Sequence, residues 1–334
     1  MKFSVGYPQS ENAGFIQRII ENAGTVSEVY FSFGDIPNGR SPCAGELMFE
    51  STLRQMKDLS RISDAGISLN LLLNANCYGE DSLSRGFFLK LGDTIDYLAA
   101  RLDLSSVTTT SPLIAKFVKA NFENLKTRAS VNMSVGTLTA MDMLKDCFDG
   151  FYLKREQNRD LAAIEKTNAW CRKNSKSLHI LANSGCVNDC PAHTFHDNLV
   201  AHEAGIAARD NAYIFEGLCR KYLKSSEKYS SVVRDMNYIR PEDVKLYEGL
   251  CESMKLATRV NRNPERVLDA YLDRKYRGAV TDLLEPDNGS VMLPVIVDNS
   301  LFPEDFGKRV MTCRKNCTDC GYCEKVFEKA AVTL

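Results

Sequence analysis

The sequence predicts an α/β protein built on a (β/α)₈ TIM-type barrel, and three observations carry that reading. Short β-rich runs alternate with amphipathic helical patterns along the first four-fifths of the chain. Eight such runs can be counted, the number that closes a parallel barrel. The 334-residue length suits one large barrel with an appendage, or two domains. A doubly wound sheet is the alternative, because strand order is not written in a single sequence.

The runs are Lys2–Tyr7, Glu28–Phe33, Ser68–Leu73, Ser106–Thr110, Thr127–Val131, Gly150–Lys154, Leu178–Ala182 and Met254–Arg259. Helical periodicity falls between them at Glu46–Asp64, Arg85–Ala100, Thr137–Asp146 and Arg159–Asn174. Ser111-Pro112 reads as an N-cap followed by proline in the first turn. The barrel is expected over residues 1–280, with a helical insertion at about 190–230 before the last strand. A helix Pro264–Arg277 closes it. Residues 281–334 form a C-terminal extension, with Val291–Asn299 extended and a cysteine-rich tail.

Composition narrows the function classes. Lys and Arg number 42 against 43 Asp and Glu, a net charge of −1, so nothing draws the whole chain toward nucleic acid or an anionic membrane. The start, MKFSVGYPQSENAG, lacks the apolar core of a signal peptide, and no run approaches a membrane span. The expectation is a cytoplasmic protein. Twelve cysteines in a reducing compartment point to metal ligation or redox chemistry rather than a disulfide framework.

Barrel chemistry sits at the C-terminal ends of the strands. Cys43 lies after strand two in GDIPNGRSPCAG, Cys77 after strand three in NANCYGED, and Cys186 and Cys190 after strand seven in ANSGCVNDCPAH. All four should face the same end. Cys147 and Cys171 read as packing residues, while Cys219 and Cys251 are open. The tail holds Cys313, Cys317, Cys320 and Cys323 as C-x3-C-x2-C-x2-C. Thiols so close suit a [4Fe-4S] cluster, with tetrahedral zinc as the alternative. One or two clusters fit the cysteine count. The chain's 4 histidines all fall between His179 and His202, and His193 and His196 follow Cys190 closely enough to handle protons or donate to sulfur. Each also has a plainer reading as a helix cap.

Polar residues at strand ends complete the candidate site. Asn74, Asn76, Thr110, Asn132 and Arg259 would position a substrate, and Lys154, Arg155 and Glu156 form a trio whose cations could hold a carboxylate. A zinc-peptidase H-E-x-x-H and a G-x-S-x-G elbow are both missing, which leaves Cys186 with His193 as the one conceivable nucleophile and base. Arg220–Arg234 is basic with interleaved tyrosines, as RNA contact would need, although a solvated helix face is the plainer reading.

Over most of the barrel the sequence resembles the collagenase-like peptidase family U, the thirty-two group, which includes proteins of oxygen-independent ubiquinone hydroxylation and of RNA hydroxylation. The resemblance rests on SSVTTTSPLIAKFVKANF (105–122), the glycine-cysteine segment after strand seven, and RDMNYIRPEDVKLYEGLCESMKLATRVNRNPERVLDAYL (234–272). Lys255 and Arg259 stand where the family has a Lys–Ile–Glu–Gly–Arg-like run; Ala257-Thr258 replaces its Glu-Gly, so no role passes to that glutamate. The resemblance implies a [4Fe-4S] cluster at the barrel mouth on Cys43, Cys186 and Cys190, the fourth position falling to Cys77, Cys219 or Cys251 or staying open to substrate. It also implies oxygen-independent hydroxylation of a small carboxylate or aromatic substrate, prephenate as an oxygen donor, an electron donor, and a protein partner or second copy of the chain. The other readings are RNA-modifying hydroxylation, a peptidase, and a zinc-stapled partner-binding scaffold.

Overall fold

Eight parallel strands close on themselves: β1 (Lys2–Gly6), β2 (Val26–Phe31), β3 (Ser68–Leu73), β4 (Leu104–Thr109), β5 (Lys126–Ala129), β6 (Gly150–Tyr152), β7 (Ser177–Leu181) and β8 (Ser253–Leu256). β8 pairs back onto β1, with Lys255 opposite Ser4, and so completes the barrel. The computed structural model describes residues 1–39 and 48–334. The expected fold class is therefore the observed one. Helices follow most strands at Ala13–Glu21, Met48–Asp64, Arg85–Ala99, Pro112–Asn121, Leu138–Leu144, Leu161–Lys173 and Pro264–Asp273.

Local signals set these helices. Ser111 Oγ accepts from the Ile114 amide at 3.3 Å with Pro112 in the first turn, as read from the sequence. Asn12, Ser84, Thr137, Asp160 and Asn263 cap other helices by the same bond. The helix begun by Pro264 ends at Asp273 rather than Arg277, because Arg274 turns left-handed at φ 54°. β2 starts and ends two residues earlier than expected, since Val26 pairs with Phe3 of β1. β8 stops at Leu256, three residues short: the Ala257 amide bonds the Asn183 side chain at 2.6 Å instead of a neighbouring strand. Only Val295–Val297 (β9) of the predicted extended segment is strand, paired antiparallel with β10 (Ala331–Thr333).

The outward faces of the strands carry Phe3, Val5, Val29, Phe31, Leu69 and Val107 into the layer beneath the helices. The inward rows are polar, unlike the branched aliphatics that usually fill such barrels. Ser4, Glu28, Asn70, Ser106 and Thr108 are all buried there, and Glu28 joins them. Its carboxylate accepts from Ser4 at 2.7 Å, Asn70 at 3.1 Å and Ser106 at 3.4 Å, and forms an ion pair with Arg128. Beside this network the His179 ring lies between Ser177 and Ser253, each 2.9 Å away.

A second apolar core joins the insertion to the extension. Leu223, Val232 and Met236 pack with Val280, Phe306 and Val326, so the extension is built together with the segment before β8 rather than as a separate tail. Arg234 bridges the same two regions through Glu324 at 2.6 Å. No helix among the described residues is long and apolar enough to cross a membrane.

Two stability measurements test the polar interior. Glu28→Ala should cost about 3–5 kcal/mol in urea unfolding, because it strands the Arg128 guanidinium in the barrel, and Glu28→Ala with Arg128→Met should recover part of it. Burial, then Arg128, holds His179 well below its ordinary range, so the folded chain keeps it neutral. The unfolded chain takes up the proton first, so stability should fall as pH drops below about 6.5, by up to about 1.4 kcal/mol per unit from this residue. His179→Asn should flatten that slope between about pH 5 and 7.

Candidate functional site

The loops at the C-terminal ends of the strands enclose a cavity of about 160 Å³. Its floor is Tyr30 of β2 and Lys255 of β8, and Arg155 and Arg259 stand on its walls. The loop after β7 contributes Cys186, Cys190 and His193, and Cys219 arrives from the far end of the insertion. The Cys219 thiol is pushed up, first by burial and then by Cys186 and Cys190 beside it. Of the three residues left open for a fourth position, Cys219 is the one gathered here. Cys77 lies in its own turn, accepting from the Gly79 amide at 3.4 Å. Cys251 precedes β8, at the opposite end of the barrel near the amino terminus, and burial pushes it up to about 12. Cys147 and Cys171 are core residues, as expected. Cys43 lies outside the described residues.

Arg155 organises the mouth. One of its terminal nitrogens is 2.7 Å from His193 Nε2 and 3.5 Å from Cys186 Sγ, and the other donates to Asn132 Oδ1 at 3.0 Å. Asn132 in turn donates to the Asn74 carbonyl at 3.3 Å, and the Asn74 side chain accepts the Gly39 amide at 2.9 Å. Asn76 donates to Asp197 at 3.0 Å, and Asp197 lies 3.4 Å from His193. The three asparagines read from the sequence thus form one net with Arg155. Burial, then Arg155, pulls His193 down while Asp197 opposes.

The predicted trio Lys154-Arg155-Glu156 does not converge. Lys154 leaves the cavity and lies 3.9 Å from Glu156 and 3.8 Å from Asp189, because successive residues in the turn Arg155–Gln157 point different ways. Arg155 alone reaches the mouth. His196 packs its ring on Phe215 while lining the cavity, and Arg259 donates to Ser32 at 2.6 Å and to Asn38. The sequence reading passed over Lys255 and Tyr30 as site residues. Strand alternation could have found Lys255, an inward lysine one residue from the end of β8.

The tail forms a neighbouring centre. Cys313, Cys317, Cys320 and Cys323 all line one cavity of about 310 Å³. Burial, then Cys313, pushes Cys317 up; Cys323 is pushed up to about 11, by burial first. A larger cavity of about 550 Å³ has Cys190 and Cys219 on one wall and Cys313, Cys317 and Cys323 on another. Among the described residues no group of three or more Cys, His, Asp or Glu side chains is already drawn together as for one ion. The cations of 220–234 are largely engaged within the chain: Lys224 pairs with Glu216 at 2.8 Å, and Arg234 with Asp235 and Glu324.

No family model matches the chain. Over 318 residues, 91% of this chain and 88% of the relative, it is 23% identical to the uncharacterized protease MJ1657 of Methanocaldococcus jannaschii. The solved structure of the U32 peptidase Mk0906 superposes with a TM-score of 0.52 at 17% identity, covering 76% of this chain and 91% of that one, and shares the barrel. The chain is thus similar to two proteins that carry protease or peptidase names, one of them a U32 peptidase with the same fold. That likeness agrees with the resemblance read from the sequence.

Thiol alkylation of the chelator-treated chain, read by mass spectrometry, should follow this geometry. Exposed Cys313, Cys317 and Cys320 should react first, while Cys147 and Cys171 should stay unmodified until the chain is unfolded.

Proposed function

We propose that this chain is an iron–sulfur-dependent, oxygen-independent oxidoreductase, of the hydroxylase kind, acting on a small molecule at the barrel mouth. The observation that carries the proposal is that Cys186 and Cys190, from the loop after β7, and Cys219, from the far end of the insertion, line one cavity. Three thiols are the donor set for a cluster that keeps one iron open. When bound, such a cluster supplies one-electron chemistry and a Lewis-acidic iron.

The chain's own residues have definable work there. Arg155 donates toward Cys186 sulfur and would orient it. Asn132 and His193 hold the guanidinium in that position. The tail cysteines suit a second cluster or zinc. They share the 550 Å³ cavity with Cys190 and Cys219, which supports a relay of electrons between the two centres.

The relatives' names favour a second reading as a peptidase. A cysteine peptidase needs its base against the nucleophile. Here His193 Nε2 is engaged by Arg155 at 2.7 Å and Asp197 at 3.4 Å, while Arg155 stands next to Cys186.

Anaerobic purification with iron and sulfide analysis and EPR tests the proposal. Wild-type protein should carry iron and acid-labile sulfide; Cys219→Ala should lose the mouth signal, and Cys320→Ala the tail signal. Zinc without iron in all three would overturn it. Gelatin cleavage by iron-free protein, abolished in Cys186→Ala, would establish the peptidase reading instead.

A further inference from the structure

A charge taken out of water needs a partner, and several buried charges of this chain have one of opposite sign. Glu28 has Arg128, and Arg240 has Asp243 at 2.8 Å. Two cations at the mouth do not. Lys255 is 7% exposed, and its Nζ sits 3.9 Å from the centre of the Tyr30 ring and 5.4 Å from that of Tyr152. Among the described residues its Nζ makes no hydrogen bond and no ion pair. Arg155 is 9% exposed and bonds only the neutral acceptors Asn132 and His193 and the Cys186 sulfur, with its Nε unpartnered. Both line the same cavity, with Arg259 on its wall.

The aromatic faces compensate Lys255 only in part, since a ring quadrupole attracts a cation more weakly than a carboxylate does. The imbalance shows in the amine itself. Burial, then Arg259, pulls Lys255 down to about 7, with Glu28 and Glu285 opposing and Arg155 adding to the fall. Glu28 is already spent on Arg128. The same cavity also has Asp197, which Asn76 and His193 engage, and Glu285 on its lining, so the amine faces a space with two arginines and two carboxylates around it.

We propose that the floor of the mouth cavity is an oxyanion site, in which a carboxylate of a small ligand accepts a hydrogen bond from Lys255 Nζ in the field of Arg155 and Arg259. The inference names the substrate class for the proposed reaction at this mouth, and it rests on that cavity being the reaction site, not on iron being bound. A phosphate group would use the same donors.

The test is calorimetric titration of metal-free and iron-loaded protein with malonate and, separately, inorganic phosphate. In parallel, NMR follows the lysines after reductive ¹³C-methylation. At least one anion should bind and shift the Lys255 methyl resonance, and the tighter one identifies the ligand's acidic group. Lys255→Met should weaken binding about tenfold or more, and Lys255→Arg should retain it. An absence of heat and of any Lys255 shift up to tens of millimolar in both forms would overturn the proposal, as would equal binding by folded Lys255→Met. Should Lys255→Met fail to fold, the wild-type resonance alone decides. Anion binding by protein that takes up no iron would sink the iron–sulfur reading and leave this site standing; iron-loaded protein that ignores both anions would do the reverse.

Discussion

The constraint on which this structure depends is that a closed barrel with polar inward rows must satisfy every one of those groups internally. Aliphatic interiors need only fill space. Here Ser4, Asn70 and Ser106 project from three strands and are buried, so each must find a partner across the barrel. One carboxylate supplies it for all three, and Glu28 in turn needs the charge of Arg128. Shifting any strand by one residue would turn these groups into the helix layer and the aliphatics inward. The Glu28 network therefore specifies register as well as stability.

The network also grades the electrostatics toward the mouth. Glu28 and Arg128 neutralise one another, so the next inward group, Lys255, receives little help from the carboxylate below it. Above it stand Arg155 and Arg259, and then the thiols of Cys186, Cys190 and Cys219. Three cations, Lys255, Arg155 and Arg259, gather where the barrel opens, against the carboxylates of Asp197 and Glu285 on the same lining. A thiolate centre and an anionic ligand would both be drawn to that end.

Much of the barrel was legible because strand alternation and helix capping are local. Ser111-Pro112 starts its helix by contacts within four residues, and Ser68–Leu73 is a strand at the bounds its pattern suggests. The ends that moved were decided by distant partners, as with Asn183 intercepting the chain after Leu256. The site divided along the same line. Cys186, Cys190 and the three asparagines could be placed because strand-end loops in a barrel converge. Lys154 could not, since its direction depends on one short turn. Neither could Cys219, which lies 29 residues beyond Cys190 and returns to the mouth only through the fold of the insertion. Lys255 was visible within a motif, but its isolation from counter-charges is a property of the assembled barrel.

That return of Cys219 ties the mouth to the tail. The segment after Cys219 is anchored by Leu223, Val232 and Met236 in the core it shares with Phe306 and Val326. Arg159 strengthens the joint, donating to the Val233 carbonyl at 2.8 Å and the Tyr238 carbonyl at 3.0 Å, with its guanidinium over the Tyr238 and Phe306 rings. It lies just beyond the turn that carries Arg155. One stretch of chain therefore positions the arginine beside Cys186 and also supports the core from which Cys219 and the tail cysteines project. The extension is in this sense part of the scaffold of the mouth, and loosening its core would move a thiol of the candidate centre before it disturbed the barrel.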